Sequence, residues 1–272
     1  MSTKGANLNY EQKLFINGIP VSGVTNIDGS YEVSEEPINI IGKGYSYPVR
    51  QGPLVGNFNV SKYYIGKEQF LDYVGPTPID GSIHYGDKNF GFTQGYLSEY
   101  SFNAGIGQIP QANASITVHG DIGRTLDNSQ NPQPHPKIEI INQGSIELNV
   151  DGYTSNRVTN FSYSIRINRT PLYTIGSSSP VQVDTSFPII QQASFSIEAN
   201  DYEVERIREF LIKPKQQDII FTLKNPINDN LIEDFEIKNA RLSSHSINSS
   251  SSDLLSIDFT YDGYINRLDR QY

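Results

Sequence analysis

Apolar and polar residues alternate along Thr25–Val33 and again along Thr159–Ile167, the period of a half-buried β-strand. The same period marks strands at Leu54–Ser61 and Ile190–Glu198. Strand pairs follow at Phe90–Asn103 with Ala114–Ile122, and at Asp234–Asn248 with Asp253–Tyr261. A further alternating run, Ile138–Val150, opens the second half of the chain. Only one stretch has a good helical period. In Asp201–Lys213, Val204, Ile207, Phe210 and Leu211 fall on one face, Asp201 can cap the start and Pro214 ends it. The equivalent place in the first half, Gly66–Tyr73, predicts a shorter helix.

These elements come twice in the same order. Residues 24–42, VTNIDGSYEVSEEPINIIG, align without a gap on residues 158–176, VTNFSYSIRINRTPLYTIG, at an offset of 134. Val24-Thr25-Asn26 meets Val158-Thr159-Asn160, Pro37 meets Pro171, and Ile41-Gly42 meets Ile175-Gly176. Further matches keep the order: Asn57–Val60 with Ser194–Ile197, Phe70-Leu71 with Phe210-Leu211, Tyr96–Ser98 with Arg241–Ser243, and Ser115–Val118 with Ser256–Phe259. The expected organisation is therefore two tandem β domains, residues 1–130 and 131–272. The proline-rich polar stretch Thr125–Lys137 reads as linker. Long Pro/Gly connections, Glu35–Gly52 and Arg169–Phe187, link the first two strands of each unit.

Composition agrees with an all-β class with minor helix. Ile, Val, Tyr and Phe make up much of the 36% hydrophobic content, and turn-forming Gly, Pro, Asn and Ser abound. With no cysteine there is no disulfide, thiolate metal site or Cys nucleophile. Met1–Ala6 holds no apolar signal region and no apolar run is long enough for a membrane span, so a protein made in the cytoplasm and free of membrane is expected. The net charge of −9 argues against a sequence-reading nucleic-acid binder, which needs a basic face.

Candidate chemistry is thin. His84, His119, His135 and His245 are dispersed without metal-ligand spacing. The stretch from Asp127 resembles a calcium loop only at its start, because Pro132 stands where glycine is needed and Ile138 where a carboxylate is needed. Gly105-Ile106-Gly107 reads as a turn, and the adjacent carboxylates of Glu35-Glu36 point apart along a strand. Serine runs at 177–179 and 249–252 have no base beside them. No catalytic residue, cofactor or metal is expected.

The blocks VTNFSYSIRINRTPLYTIG and YEVERIREFLI, with LFINGIPVSGVTNIDGSYEVSEEPINIIGKG and GPLVGNFNVSKYYIG in the first half, resemble the tail-tube fold of tailed bacteriophages. The resemblance covers nearly the whole chain, once per half. It implies two tail-tube-like β-sandwich or split-barrel domains, each with one flanking helix. It also implies a virion structural protein, assembled in the host cytoplasm, whose copies close into a ring around a DNA channel. A ring of six such domains takes three chains, with six chains and twelve domains as the runner-up. Rings stack, other tail proteins join them, and DNA is a transient passenger. Tail-tip hub, terminator and adaptor rings share the fold.

Contact residues are then expected on the long connections, which carry Ile38, Ile40, Ile41, Tyr45, Tyr47, Leu172, Tyr173 and Ile175. The channel face is expected to be acidic or neutral. Strand residues off the core face, Asp28, Glu32, Glu139, Glu147 and Asp258, are its candidates. Two other classes compete. A tandem β-sandwich carbohydrate-binding or adhesin module suits the many tyrosines but not the absence of Trp. A depolymerase-type enzyme has least to support it.

Overall fold

The computed structural model describes residues 12–32, 35–50, 52–85, 88–123, 146–155, 157–177, 179–198, 216–225, 229–248 and 256–266. These form mostly antiparallel β-structure. The first half contains β1 (Gln12–Ile16), β2 (Ile19–Pro20), β3 (Val24–Glu32), β4 (Glu35–Asn39), β5 (Ser46–Arg50), β6 (Val55–Tyr63), β7 (Ile79–Tyr85), β8 (Lys88–Gly105), β9 (Gln111–Val118) and β10 (Ile122–Gly123). The second contains β11 (Ile146–Val150), β12 (Tyr153–Ser155), β13 (Val158–Arg166), β14 (Arg169–Leu172), β15 (Gln182–Thr185), β16 (Ile189–Glu198), β17 (Gln217–Lys224), β18 (Leu231–Asn248) and β19 (Ser256–Ile265).

Strand order is the same in the two halves. The ladder runs β2-β1-β7-β8-β9-β6-β3 in the first and β12-β11-β17-β18-β19-β16-β13 in the second. Irregularities recur as well. The β3–β6 register slips between Val24 and Asn26, and the β13–β16 register slips between Val158 and Asn160. At these slips the hydroxyls of Thr25 and Thr159 donate to the carbonyls of Ser61 (3.0 Å) and Ser196 (3.2 Å). The β8–β9 pairing slips after Leu97, and the β18–β19 pairing after Leu242, an offset of 145 residues.

The halves are joined by main-chain pairing. The C-terminal part of β8 lies antiparallel to β13, from Glu99 opposite Arg166 to Gly105 opposite Asn160. One ladder, β3-β6-β9-β8-β13-β16-β19-β18, therefore crosses both halves. The long strands β8 and β18 leave this layer at their N-terminal ends, where they pair with β7 and β17 in a second layer. Alternate residues of the ladder point between the layers. Phe58 stacks on Phe92 with ring centroids 4.6 Å apart, and Phe161 stacks on Phe221 at 3.4 Å. Phe102 of the first half stacks on Phe235 of the second at 4.7 Å. Each such buried ring contributes about 1.5–3 kcal/mol of transfer free energy, so this aromatic cluster ties the halves across their joint as well as within each.

The joint also holds buried polar groups. Lys62 sits at a core-facing position of β6, in phase with Phe58 and Val60. Its ammonium reaches Glu68 Oε1 at 3.1 Å, both side chains being almost wholly buried. Glu68 also accepts the backbone N–H groups of Gln69 and Phe70, and the Tyr100 hydroxyl donates to its Oε2 at 3.0 Å. The backbone N–H of Glu68 donates in turn to Glu233 Oε2, from β18, at 3.1 Å.

Two expectations are corrected. In place of the first-half helix over Gly66–Tyr73 there is one 3-10 turn, Phe70–Tyr73. Gly66 takes a positive φ of 113°, and a segment this short cannot offset the cost of helix nucleation. The long connections are not plain loops either. β4 pairs with β5, and β14 with β15, as two-stranded hairpin arms. The second helix, over Asp201–Lys213, and the domain boundary at residue 130 lie outside the described residues.

Candidate functional site: a polar sheet face and two arms

The eight-stranded ladder has one core face and one polar face. Across its middle the residues off the core are mostly short and hydrogen-bonding, while Tyr63, Ile190 and Tyr264 are exposed on the same face nearer the strand ends. One row across the strands reads Asn26, Ser61, Asn113, Ser101, Ser164, Gln192, Asp262. The face is cross-linked by its own side chains. Ser115 donates to Asn59 Oδ1 (2.8 Å), Gln192 to Asp262 Oδ1 (2.8 Å), Ser194 to Thr260 (3.1 Å) and Ser246 to Asp258 Oδ2 (3.2 Å). Such bonds preset the side chains of this face.

Charge on this face is mixed but leans acidic. Asp28 and Glu32 lie on β3 and Asp258 on β19, as the alternation anticipated. Asn26 Nδ2 donates to Asp28 Oδ2 at 2.6 Å. Glu99 and Asp262 belong to the same face, opposite Arg166 and Arg241 on the neighbouring strands. Glu99 and Arg166 approach to 3.7 Å. Sequence alone did not single these four out, because their place depends on which strands are neighbours. Glu147 is elsewhere. It stands on β11 in the second layer and accepts a 2.6 Å bond from Lys224, which raises the pKa of that lysine. Glu139 lies outside the described residues.

The arms carry every expected contact residue. Ile38 is on β4 and Tyr47 on β5, with Ile40, Ile41 and Tyr45 in the turn between them; Leu172 is on β14, with Tyr173 and Ile175 just after it. All are exposed, and Ile41 and Ile175, at the two arm tips, are fully so. The Tyr47 hydroxyl donates to Tyr45 at 2.8 Å, which pushes its pKa up.

The arms differ in what they lie against. The β14–β15 arm is seated on the first half. Arg169 Nε donates to the Leu97 carbonyl at 3.1 Å, and Nη2 to the carbonyls of Tyr73 and Val74 at 3.3 Å each. Its guanidinium lies over the Tyr96 ring, 5.6 Å from the centroid. The Tyr173 hydroxyl meets His119 Nδ1 at 3.4 Å. Burial lowers the pKa of His119 and raises that of Tyr173. By contrast, every residue from Glu35 to Pro48 is exposed.

Beside β18 lies a groove of about 670 Å³, bordered by Gln191, Glu236, Lys238, Arg241 and Tyr264. Among the described residues no group of three or more His, Asp or Glu side chains could hold a metal ion, and no helix is long and apolar enough to cross a membrane. No family model matches the chain, and no curated protein is similar to it.

Proposed function

We propose that this chain is a structural ring protein of a phage tail, built from two tail-tube-like domains and assembled in the host cytoplasm. The observation that carries the reading is the β8–β13 joint. Two strand sets of one topology are fused edge to edge into a single ladder with one polar face. Repeating that fusion between chains closes a ring and pairs both open ends of the ladder, β3 and the C-terminal part of β18. The polar face becomes the wall of a channel through which DNA passes, and the exposed β4–β5 arm, with the exposed tip of the β14–β15 arm, bridges to neighbouring chains and stacked rings. A tip, terminator or adaptor ring would use the same construction.

Negative-stain images with native mass spectrometry test this. Three chains per ring are expected, with six as the other closed solution. A chain that stays monomeric at high concentration overturns the reading. Deleting residues 43–51, the end of the turn and the whole of β5, is expected to leave the ladder strands folded and abolish assembly, and normal assembly by that variant would remove the first arm from the proposal.

A further inference from the structure

The joint inside the chain specifies how two chains would meet. Among the described residues, β3 has one ladder partner, β6, and Ser244–Asn248 of β18 has one, β19. These two edges are the repeat counterparts of the edges that are already joined. β3 corresponds to β13 at an offset of 134 residues, and the paired stretch of β8 corresponds to Ser244–Asn248 at an offset of 145.

The seat of the arm has a counterpart too. Arg169 corresponds to Glu35, the first residue of β4, as Arg169 is the first of β14. The ring beneath Arg169, Tyr96, corresponds to Arg241. The strand registers set β9 on β19 at an offset of 145, which corrects the offset of 141 in the sequence match of Ser115–Val118 with Ser256–Phe259, so His119, which meets Tyr173, corresponds to Tyr264. Arg241 and Tyr264 both border the groove beside β18. In the occupied seat an arm cation meets a receptor aromatic; in the open one an arm carboxylate would meet a receptor cation. The pairing chemistry changes on both sides at once and stays complementary. The second contact behaves alike: Tyr173 facing His119 becomes Asn39 facing Tyr264.

We propose that the β4–β5 arm of one chain occupies the groove bordered by Arg241 and Tyr264 on a second copy, with Glu35 paired to Arg241, while β3 adds antiparallel to Ser244–Asn248 of that copy. The register follows from the internal joint. Ser164 faces Ser101 there, so Ser30 faces Ser246; Ile165 faces Tyr100, so Tyr31 faces His245. Tyr31 and Ile247, 62% and 54% exposed in the single chain, come to lie within the interface. The arrangement is head-to-tail. Each copy offers one β3 edge with its arm and one β18 edge with its groove, so it propagates until it closes. This deepens the ring reading and rests on it.

The chain has no cysteine, so a paired substitution reads the register directly. Ser30→Cys with Ser246→Cys in one chain is expected to cross-link between chains under mild oxidation, since a disulfide needs Cα atoms within about 7 Å. Within a chain the two edges stand seven strand spacings apart along the ladder, about 34 Å at ~4.8 Å each. Asn57→Cys with Ser246→Cys, one strand further in, is expected not to cross-link. Glu35→Arg and Arg241→Glu are each expected to raise the concentration for half-assembly at least about tenfold through like-charge contact, and the double reversal to restore it. Circular dichroism of the five variants checks that they fold. Rings that form without the Ser30–Ser246 cross-link, or that tolerate both single reversals, overturn the interface and leave the ring reading standing. A cross-link formed only within chains means that the ladder closes on itself and overturns the interface. A monomer at all concentrations overturns both.

Discussion

Asp218 holds the backbone of Asn239, whose N–H donates to Asp218 Oδ1 at 2.8 Å. Asn239 has a positive φ of 52°, at the place where β18 passes from one layer into the other. The first half repeats the device: Gln94 has the same φ, and its N–H donates to Asp80 Oδ1 at 3.1 Å. A non-glycine residue in the left-handed region costs about 1–2 kcal/mol, and the carboxylate offsets part of that. Asp218→Ala and Asp80→Ala are each expected to destabilise the fold by about 1 kcal/mol, the net value of one partly exposed charge-assisted bond. Urea denaturation measures it. No loss in either variant would mean that the shoulder is fixed by packing alone.

Much of this was legible in the sequence. The gap-free match of residues 24–42 with 158–176 anticipated that β3 and β13 hold the same place in the ladder. Asp28, Glu32 and Asp258 were placed off the core by alternation, and they are. What alternation cannot give is strand neighbours. Glu147 obeys the same period as Asp258 yet stands in the other layer. The arms were missed as strands because both their faces meet solvent in the first half, so no apolar period marks them, and Pro37 and Pro48 read as breakers. Lys62 did carry a signal. It continues the core-facing phase of Phe58 and Val60, where a lysine is tolerated only with a buried partner.

That partner is Glu68, and the pair supports the second prediction. Glu68→Ala leaves the Lys62 ammonium buried and uncompensated and removes the acceptor of Tyr100 and two backbone N–H groups. A loss of about 3–5 kcal/mol is expected. Lys62→Met is expected to cost less, because Glu68 keeps its other three donors and the methionine fills the space. Thermal unfolding of both variants ranks them. Equal losses would mean that Glu68 acts only through the lysine.

Glu233 gives a pH dependence. Burial raises its pKa above the usual carboxylate value, the N–H of Glu68 acting in the opposite direction and the Glu68 carboxylate adding to the rise. The folded state therefore holds this proton more tightly than the unfolded chain. Its contribution to stability is fully present below the unfolded pKa and is lost as pH rises through the folded one. Glu233→Gln keeps an acceptor for the Glu68 N–H and removes the titration. The stability of Glu233→Gln relative to the parent is expected to increase with pH from the acid range upward and then level off. A difference that is flat across that range would show that Glu233 titrates alike in both states.

Passage of DNA along the polar face requires a wall that does not grip phosphates. Fixed cations on a channel wall hold phosphates by releasing their counterions, so each added contact steepens the fall of affinity with salt by about 0.9 in log–log slope. Short hydroxyl and amide side chains already bonded to one another present no such hold. Asn59, Ser101 and Ser164 occupy this face on three strands drawn from both halves. Replacing all three by lysine keeps the core intact, since none of them points between the layers. Assembled parent rings are expected to bind duplex DNA no more tightly than the separate chains do. The triple-lysine rings are expected to retain it, with a retention that falls steeply as salt rises. Filter binding at several salt concentrations reads the slope. Equal and weak retention by both proteins, with rings intact, would mean that the polar face does not line the channel. Strong retention by the parent would mean that the ring grips DNA, as a terminator or adaptor would, and does not let it slide.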